Sequence, residues 1–291
     1  MQCWRRKRRV TLYAIEFFGD EPVNLLEFND IALTYELKGA GERVVLVHAS
    51  PFVSWYMPLI ERLTGFSTLL YRRDLRKTDA GTYRRLTVAE DAAICVRLMA
   101  HVGWERAHVV GHSYGALVAL QMVTSTAERV GTLSLLEPAI RAIPSSAAVL
   151  RALVPAITTY KLGDTAGAVD AFLRLVCGDR YRAVLDRMIP NAFSEALAYA
   201  DLFFQTEMPA IAEWSFGPAD AARVTRPVLN VLGAESAQRF VEGSELLQSW
   251  FPKAEKLSVP AAGHLLMVQN PTAVADGLMG YFARHPIGNA G

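Results

Sequence analysis

The sequence predicts an α/β fold: a mostly parallel sheet flanked by helices, with an inserted helical cap. Three observations carry this. Short apolar runs recur at Val44–Val47, Leu69–Tyr71, Ala107–Val110, Leu133–Leu136, Val228–Leu232 and Lys256–Val259, the pattern of strands buried on both faces. Segments of helical spacing lie between several of them. One stretch, residues 139–222, breaks the alternation: it is rich in Ala, Leu and Phe and is punctuated by Pro144, Pro155, Pro190 and Pro209. The expected division is an N-terminal extension over 1–22, a core over 23–138 and 223–291, and a helical cap over 139–222.

Taken in order, the chain opens with Arg5, Arg6, Lys7, Arg8 and Arg9. The run that follows is interrupted by Glu16 and has no small-x-small cleavage site, so it reads as an extension, with a membrane-surface anchor as the alternative. Leu25–Phe28 and Ile31–Tyr35 flank Asn29-Asp30 as a hairpin. Thr87 and Glu90 form a capping box ahead of a helix whose face is Val88, Ala92, Cys95, Val96 and Met99. A second helix follows Ser113 through Leu117, Val118, Leu120 and Val123. Asn270 caps a last helix with Pro271 in its first turn, ending near Arg284.

Composition excludes several classes. With 291 residues, 52% hydrophobic and 20% charged, the chain is neither disordered nor a disulfide scaffold. Net charge is +1, and the first nine residues alone carry +5, so the folded part offers no basic footprint for nucleic acid. Cys3, Cys95 and Cys177 are too few and too scattered for a disulfide framework or a zinc site, which points to the cytoplasm. No apolar run approaches a membrane span. Neither a phosphate-binding loop nor a dinucleotide fingerprint occurs, so no nucleotide cofactor is indicated, and no metal is needed.

Gly111-His112-Ser113-Tyr114-Gly115 matches G-x-S-x-G, between an apolar strand and an apolar helix. Such a strained strand-to-helix turn lifts a serine hydroxyl above a sheet, and its glycines relieve crowding. A serine hydroxyl is a poor nucleophile near neutrality, and an imidazole must take its proton. Six histidines are available. His264 lies in Pro260-Ala261-Ala262-Gly263-His264, just after the last predicted strand, where the α/β-hydrolase family that this chain resembles places its general base. His108, on a strand, reads as structural; His101 ends a helix and His285 lies in the tail.

From about Val23 to Arg284 the chain resembles the α/β-hydrolase family, in its serine-nucleophile, esterase-like branch. The resemblance implies the order nucleophile, acid, histidine along the chain. It implies that His48-Ala49-Ser50-Pro51 is the oxyanion loop, with the Ser50 and Tyr114 amides as donors, Ala49 standing where the family has glycine, and His48 as an organiser. It implies that His112 is a packing residue beside the nucleophile. The acid is ambiguous. The family's usual aspartate position, after the next-to-last strand, holds Ser236. A minority places the carboxylate after the strand that follows the nucleophile helix, here Glu137 in Leu136-Glu137-Pro138. Glu137 is the favoured acid and Glu235 the alternative. The family's glycine-rich stretch after the fourth strand is replaced by Arg72–Thr78, either a rebuilt loop or a charged run facing solvent.

A serine at the nucleophile position, by resemblance, leaves acyl chemistry. Trp55, Phe203 and Trp214 are expected to line an apolar pocket. The expected activity is hydrolysis of a carboxylic ester or related acyl bond of a small, largely apolar substrate through an acyl-enzyme, without a cofactor. The alternatives are lyase, perhydrolase or acyl-transfer chemistry on the same site, or a ligand-binding protein with a weakened triad. The expected partner is a small-molecule acyl substrate, with neither nucleic acid nor membrane, and the sequence assigns no oligomeric state.

Overall fold

A computed structural model of the chain describes residues 24–28, 31–75 and 82–288. The N-terminal extension with Cys3, the Asn29-Asp30 turn and Arg76–Thr78 lie outside these residues. Eight strands form one sheet: β1 (Asn24–Phe28), β2 (Ile31–Gly39), β3 (Glu42–Val47), β4 (Phe66–Leu75), β5 (Ala107–His112), β6 (Val130–Leu136), β7 (Val228–Gly233) and β8 (Glu255–Val259). Their order is β1-β2-β4-β3-β5-β6-β7-β8, antiparallel from β1 to β4 and parallel from β4 to β8. The central strands β5 and β6 are buried along their whole length, as continuous apolar runs on a two-sided sheet require.

The helices cover both faces. In α1 (Val88–His101), Thr87 accepts from the Glu90 amide at 3.1 Å and Glu90 accepts from the Thr87 amide at 2.8 Å, the reciprocal box read from the sequence. Val88, Ala92, Cys95 and Met99 on its inner face are buried, and α2 (Tyr114–Ser125) is buried almost all round. Between β6 and β7 come α3 (Ser146–Lys161), α4 (Thr165–Cys177), α5 (Tyr181–Met188), α6 (Ala192–Ala198), a π-helical turn (Phe203–Glu207), α7 (Met208–Glu213) and α8 (Pro218–Ala221). Pro144 precedes α3 and Pro190 separates α5 from α6, whereas Pro155 lies within α3 and Pro209 in the first turn of α7. The fold closes with α9 (Gln238–Trp250) and α10 (Pro271–Arg284), the latter capped by the Asn270 side chain on the Ala273 amide at 3.1 Å.

This topology makes the crevice. From β3 the chain passes to β4 on one side, and β5 lies on the other. The carboxyl ends of β3 and β5 therefore sit at a switch point, where open parallel sheets bind ligands. Two glycines let α2 seat there. A Cβ at Gly115 would fall 1.9 Å from the Val47 carbonyl oxygen, and one at Gly111 2.4 Å from that of Gly115. Neither obstacle is a flexible side chain. Gly115→Ala should therefore lower stability at the upper end of the ~1–3 kcal/mol typical of overpacking, read as a fall in the urea midpoint without a change in slope.

Candidate active site

Three non-glycine residues among the described ones have positive φ: Ser113 (53°), Glu137 (44°) and Ala261 (52°). They lie in the turns after β5, β6 and β8. Backbone in this region is costly for an L-residue and persists only where its surroundings over-determine it. Here the surroundings are hydrogen bonds across the strand ends. The Ser113 amide donates to the Leu136 carbonyl at 3.0 Å, the Ala139 amide to the Ser113 carbonyl at 3.2 Å, and the Glu137 amide to the Val231 carbonyl at 3.2 Å.

These turns bring Glu137 and His264 together. His264 Nδ1 lies 2.8 Å from Glu137 Oε2, and both side chains are buried. The other oxygen, Oε1, accepts from the Gly233 amide at 2.8 Å and from the Ser236 hydroxyl. The residue in the family's usual aspartate position thus serves the carboxylate instead of supplying one. Burial pushes the Glu137 carboxyl up to about 7, against the Ser236 and Gly233 hydrogen bonds and the Arg239 charge, which pull it down. Burial, then Arg239, pushes the His264 imidazolium well below the usual value, so its ring is neutral. With Nδ1–H on Glu137, Nε2 of that ring is free to take a proton. Phe240 stacks on the imidazole, centre to centre 4.0 Å and 10° from parallel, a contact with no signature in the sequence. Glu235 is exposed, and no carboxylate contact ties it to His264.

Behind His264 runs a chain of imidazoles. The Ala49 amide donates to His48 Nδ1 at 2.7 Å, which puts the proton of the neutral ring on Nε2. His48 Nε2 then donates to His112 Nδ1 at 2.8 Å, and His112 Nε2 to the His264 carbonyl at 3.0 Å. Burial pushes both rings well below the usual histidine value, in keeping with this neutral, one-directional chain. His112 therefore fixes the His264 backbone, beyond the packing role expected of it. His108 bonds Thr132 and Glu42 on the far side of the sheet's core and takes no part.

Ser113, Tyr114 and His264 line a cavity of about 200 Å³, and Trp55 and Phe203 lie in its wall. Trp214 is not in that wall. It stands just past α7 in extended backbone, where it stacks on Phe216 and donates to the Gln121 side chain at 3.1 Å. The Tyr114 amide, first in α2, has no acceptor among the described residues. The Ser50 amide, the other expected donor, is engaged: it donates to the Glu207 carboxylate at 3.0 and 3.2 Å.

Glu207 belongs to a buried ion cluster. Arg72 and Arg73, where a solvent-facing run was one expectation, lie within β4 at 1% and 2% exposure. Arg72 pairs with Glu195 of α6, which also accepts from the Ser54 amide (3.3 Å) and hydroxyl. Arg73 pairs with Glu207 and, at 2.8 Å, with Asp91 of α1, which accepts from the Tyr114 hydroxyl. Burial raises the Asp91 carboxyl to about 6 against the pull of Arg73. The cluster fastens the inserted helices to the segment after β3.

No group of three or more candidate metal ligands occurs among the described residues, nor is any of their helices long and apolar enough to cross a membrane. A family model described as the alpha/beta hydrolase family matches residues 44–277. Among solved structures, a hydrolase from Pseudomonas aeruginosa is similar at TM-score 0.74 and 20% identity, covering 91% of this chain and 99% of that one. A thermophilic esterase from Thermogutta terrifontis aligns at 0.72 and 20%, covering 88% and 94%. The naproxen esterase of Bacillus subtilis aligns at 0.68 and 21%, covering 92% and 94%. At these identities the likeness is one of fold.

Removing one member of a buried ion cluster leaves the others unpaired, typically at a cost of ~3–5 kcal/mol. Arg73→Met, which strands both Asp91 and Glu207, should lose about that much stability in equilibrium denaturation.

Proposed function

The chain belongs to the alpha/beta hydrolase family, and from that premise we propose that it is a serine hydrolase cleaving a carboxylic ester or related acyl bond of a small substrate. The observation that carries this reading is the 2.8 Å hydrogen bond from His264 to Glu137, beside a serine held at positive φ on the same cavity. The esterases among the similar structures support the reaction class.

In this reading Ser113 Oγ attacks the acyl carbon while His264 Nε2 takes its proton. The imidazolium that forms is stabilised by Glu137, and it returns the proton to the leaving alcohol. Water then repeats the sequence on the acyl-enzyme, releasing the acid and restoring the serine. The Tyr114 amide, at the positive end of α2, meets the oxyanion. The Ser50 amide, the other expected donor, is held by the Glu207 carboxylate. The largely apolar cavity wall excludes water from the developing charge, which strengthens each of these contacts.

Hydrolysis of p-nitrophenyl butyrate by wild type and Ser113→Ala, side by side, tests the central step. The expected result is wild-type turnover reduced about 10³-fold or more in the variant. Equal turnover in both would remove Ser113 as nucleophile and with it the reading. Glu137→Gln should fall by a comparable factor, whereas Glu235→Gln should keep wild-type kcat; the reverse pattern would assign the acid to Glu235.

The pH profile gives an independent check. The working state has Glu137 ionised and His264 neutral. With the carboxyl raised to about 7 and the imidazolium well below its usual value, the first proton taken up on acidification goes to Glu137. The acid limb of kcat/KM should therefore lie near pH 7. Ser236→Ala removes a hydrogen bond that favours the anion, so the limb should move to higher pH, measured with the same ester across the neutral range.

A further inference from the structure

We infer that the acyl group this cavity takes ends in an anion, most simply a carboxylate, and that Arg141 and Arg239 recognise it. The chemistry of cleavage rests on the serine-hydrolase reading; the recognition rests on these two other residues.

Apart from the histidines and Ser113, the wall is chiefly aliphatic and aromatic, yet two arginines, Arg141 and Arg239, are among its residues. Arg141 follows Glu137 in the turn after β6. One of its terminal nitrogens donates to the Ala212 carbonyl in the last turn of α7, and its Nε is buried with no partner. Arg239 lies in the first turn of α9, half-buried. It donates to the Leu175 carbonyl in the last turn of α4, and its guanidinium carbon lies 4.7 Å from the centre of the Phe240 ring that stacks on His264. Neither makes an ion pair with a carboxylate among the described residues.

A guanidinium has five N–H donors, and a helix-end carbonyl occupies only part of that fork. A cation in an apolar wall is costly: burial pushes Arg239 below the usual arginine value, with Cys177 and Glu137 pulling the other way. The same chain shows how it treats buried arginines that need only be stable: Arg72 and Arg73 each have carboxylates in contact. Arg141 and Arg239 have no carboxylate in contact among the described residues, and both residues line the cavity. An incoming carboxylate accepts from such forks in the charge-assisted geometry arginine favours. The small volume, below the ~300 Å³ at which drug-sized pockets begin, fits a short chain between the acyl carbon and the anion.

The test compares monomethyl succinate, glutarate and adipate with methyl butanoate, pentanoate and hexanoate, matched in acyl length, with acid release followed by pH-stat titration. The readout is the ratio of kcat/KM for anionic over neutral ester, which loss of folded protein does not change. Wild type should favour an anionic ester by about tenfold or more, and Arg141→Gln and Arg239→Gln should each cut that ratio about tenfold, the size of a lost charge-assisted hydrogen bond. Preference for the neutral esters, or a ratio unchanged in both variants, would overturn the inference. Should wild type turn over none of these esters, glutarate binding by calorimetry decides the anion site, and the p-nitrophenyl butyrate comparison decides the hydrolase reading separately. Saturable heat that both variants abolish would support it, and no heat in wild type would overturn it.

Discussion

At the centre of the molecule two backbones touch where no Cβ fits. The Val47 carbonyl at the end of β3 and the start of α2 at Gly115 approach so closely that the turn between β5 and α2 has one available course. That course forces Ser113 to positive φ, and the neighbouring strand ends hold it there through Leu136 and Ala139. The turn after β6 is hydrogen-bonded to this one and carries Glu137; the loop after β8 carries His264 to Glu137. Each placement inherits its position from the one before, so the site is as rigid as the sheet beneath it. Sites on such elements hold geometry better than sites on free loops.

The electrostatics follow from burial. Three neutral imidazoles in series, each with its proton assigned by the next acceptor, let the protein bury His48, His112 and His264 without burying charge. The opposite solution operates a few residues away. Arg72, Arg73, Asp91, Glu195 and Glu207 are buried as ions, and their partners come from the core and from the inserted helices alike. Breaking that contact would desolvate or strand several charges at once. The inserted helices over this end of the crevice therefore cannot part from the sheet without leaving buried charges unpaired.

Much of this was legible because it is local. An apolar run buried on both faces, a capping box, a G-x-S-x-G turn and a carboxylate directly after a strand each announce themselves within a few residues. The fold class and the strand ends carrying Ser113, Glu137 and His264 were readable on that basis. What was not readable depends on distant partners. Arg72 and Arg73 look like a charged loop until Glu195 and Glu207 arrive, 123 and 134 residues later. The engagement of the Ser50 amide follows from the same Glu207. Trp214 shows the same limit from another side: expected in the pocket wall, it finds its partners in Phe216 and Gln121 instead. At Ser236 the missing aspartate was visible, whereas the hydroxyl's hydrogen bond to Glu137 was not.

Ser236 carries a consequence for how such a site can change over time. The carboxylate that holds His264 stands on β6, while the position across the cleft holds a hydroxyl in direct contact with it. A single change of Ser236 to aspartate would set two carboxylates against each other in a buried space, where one must stay protonated. A single loss of Glu137 would leave His264 unsupported. The two ways of supplying the acid are thus separated by a pair of substitutions, each of which alone disturbs the buried carboxylate contact that holds His264.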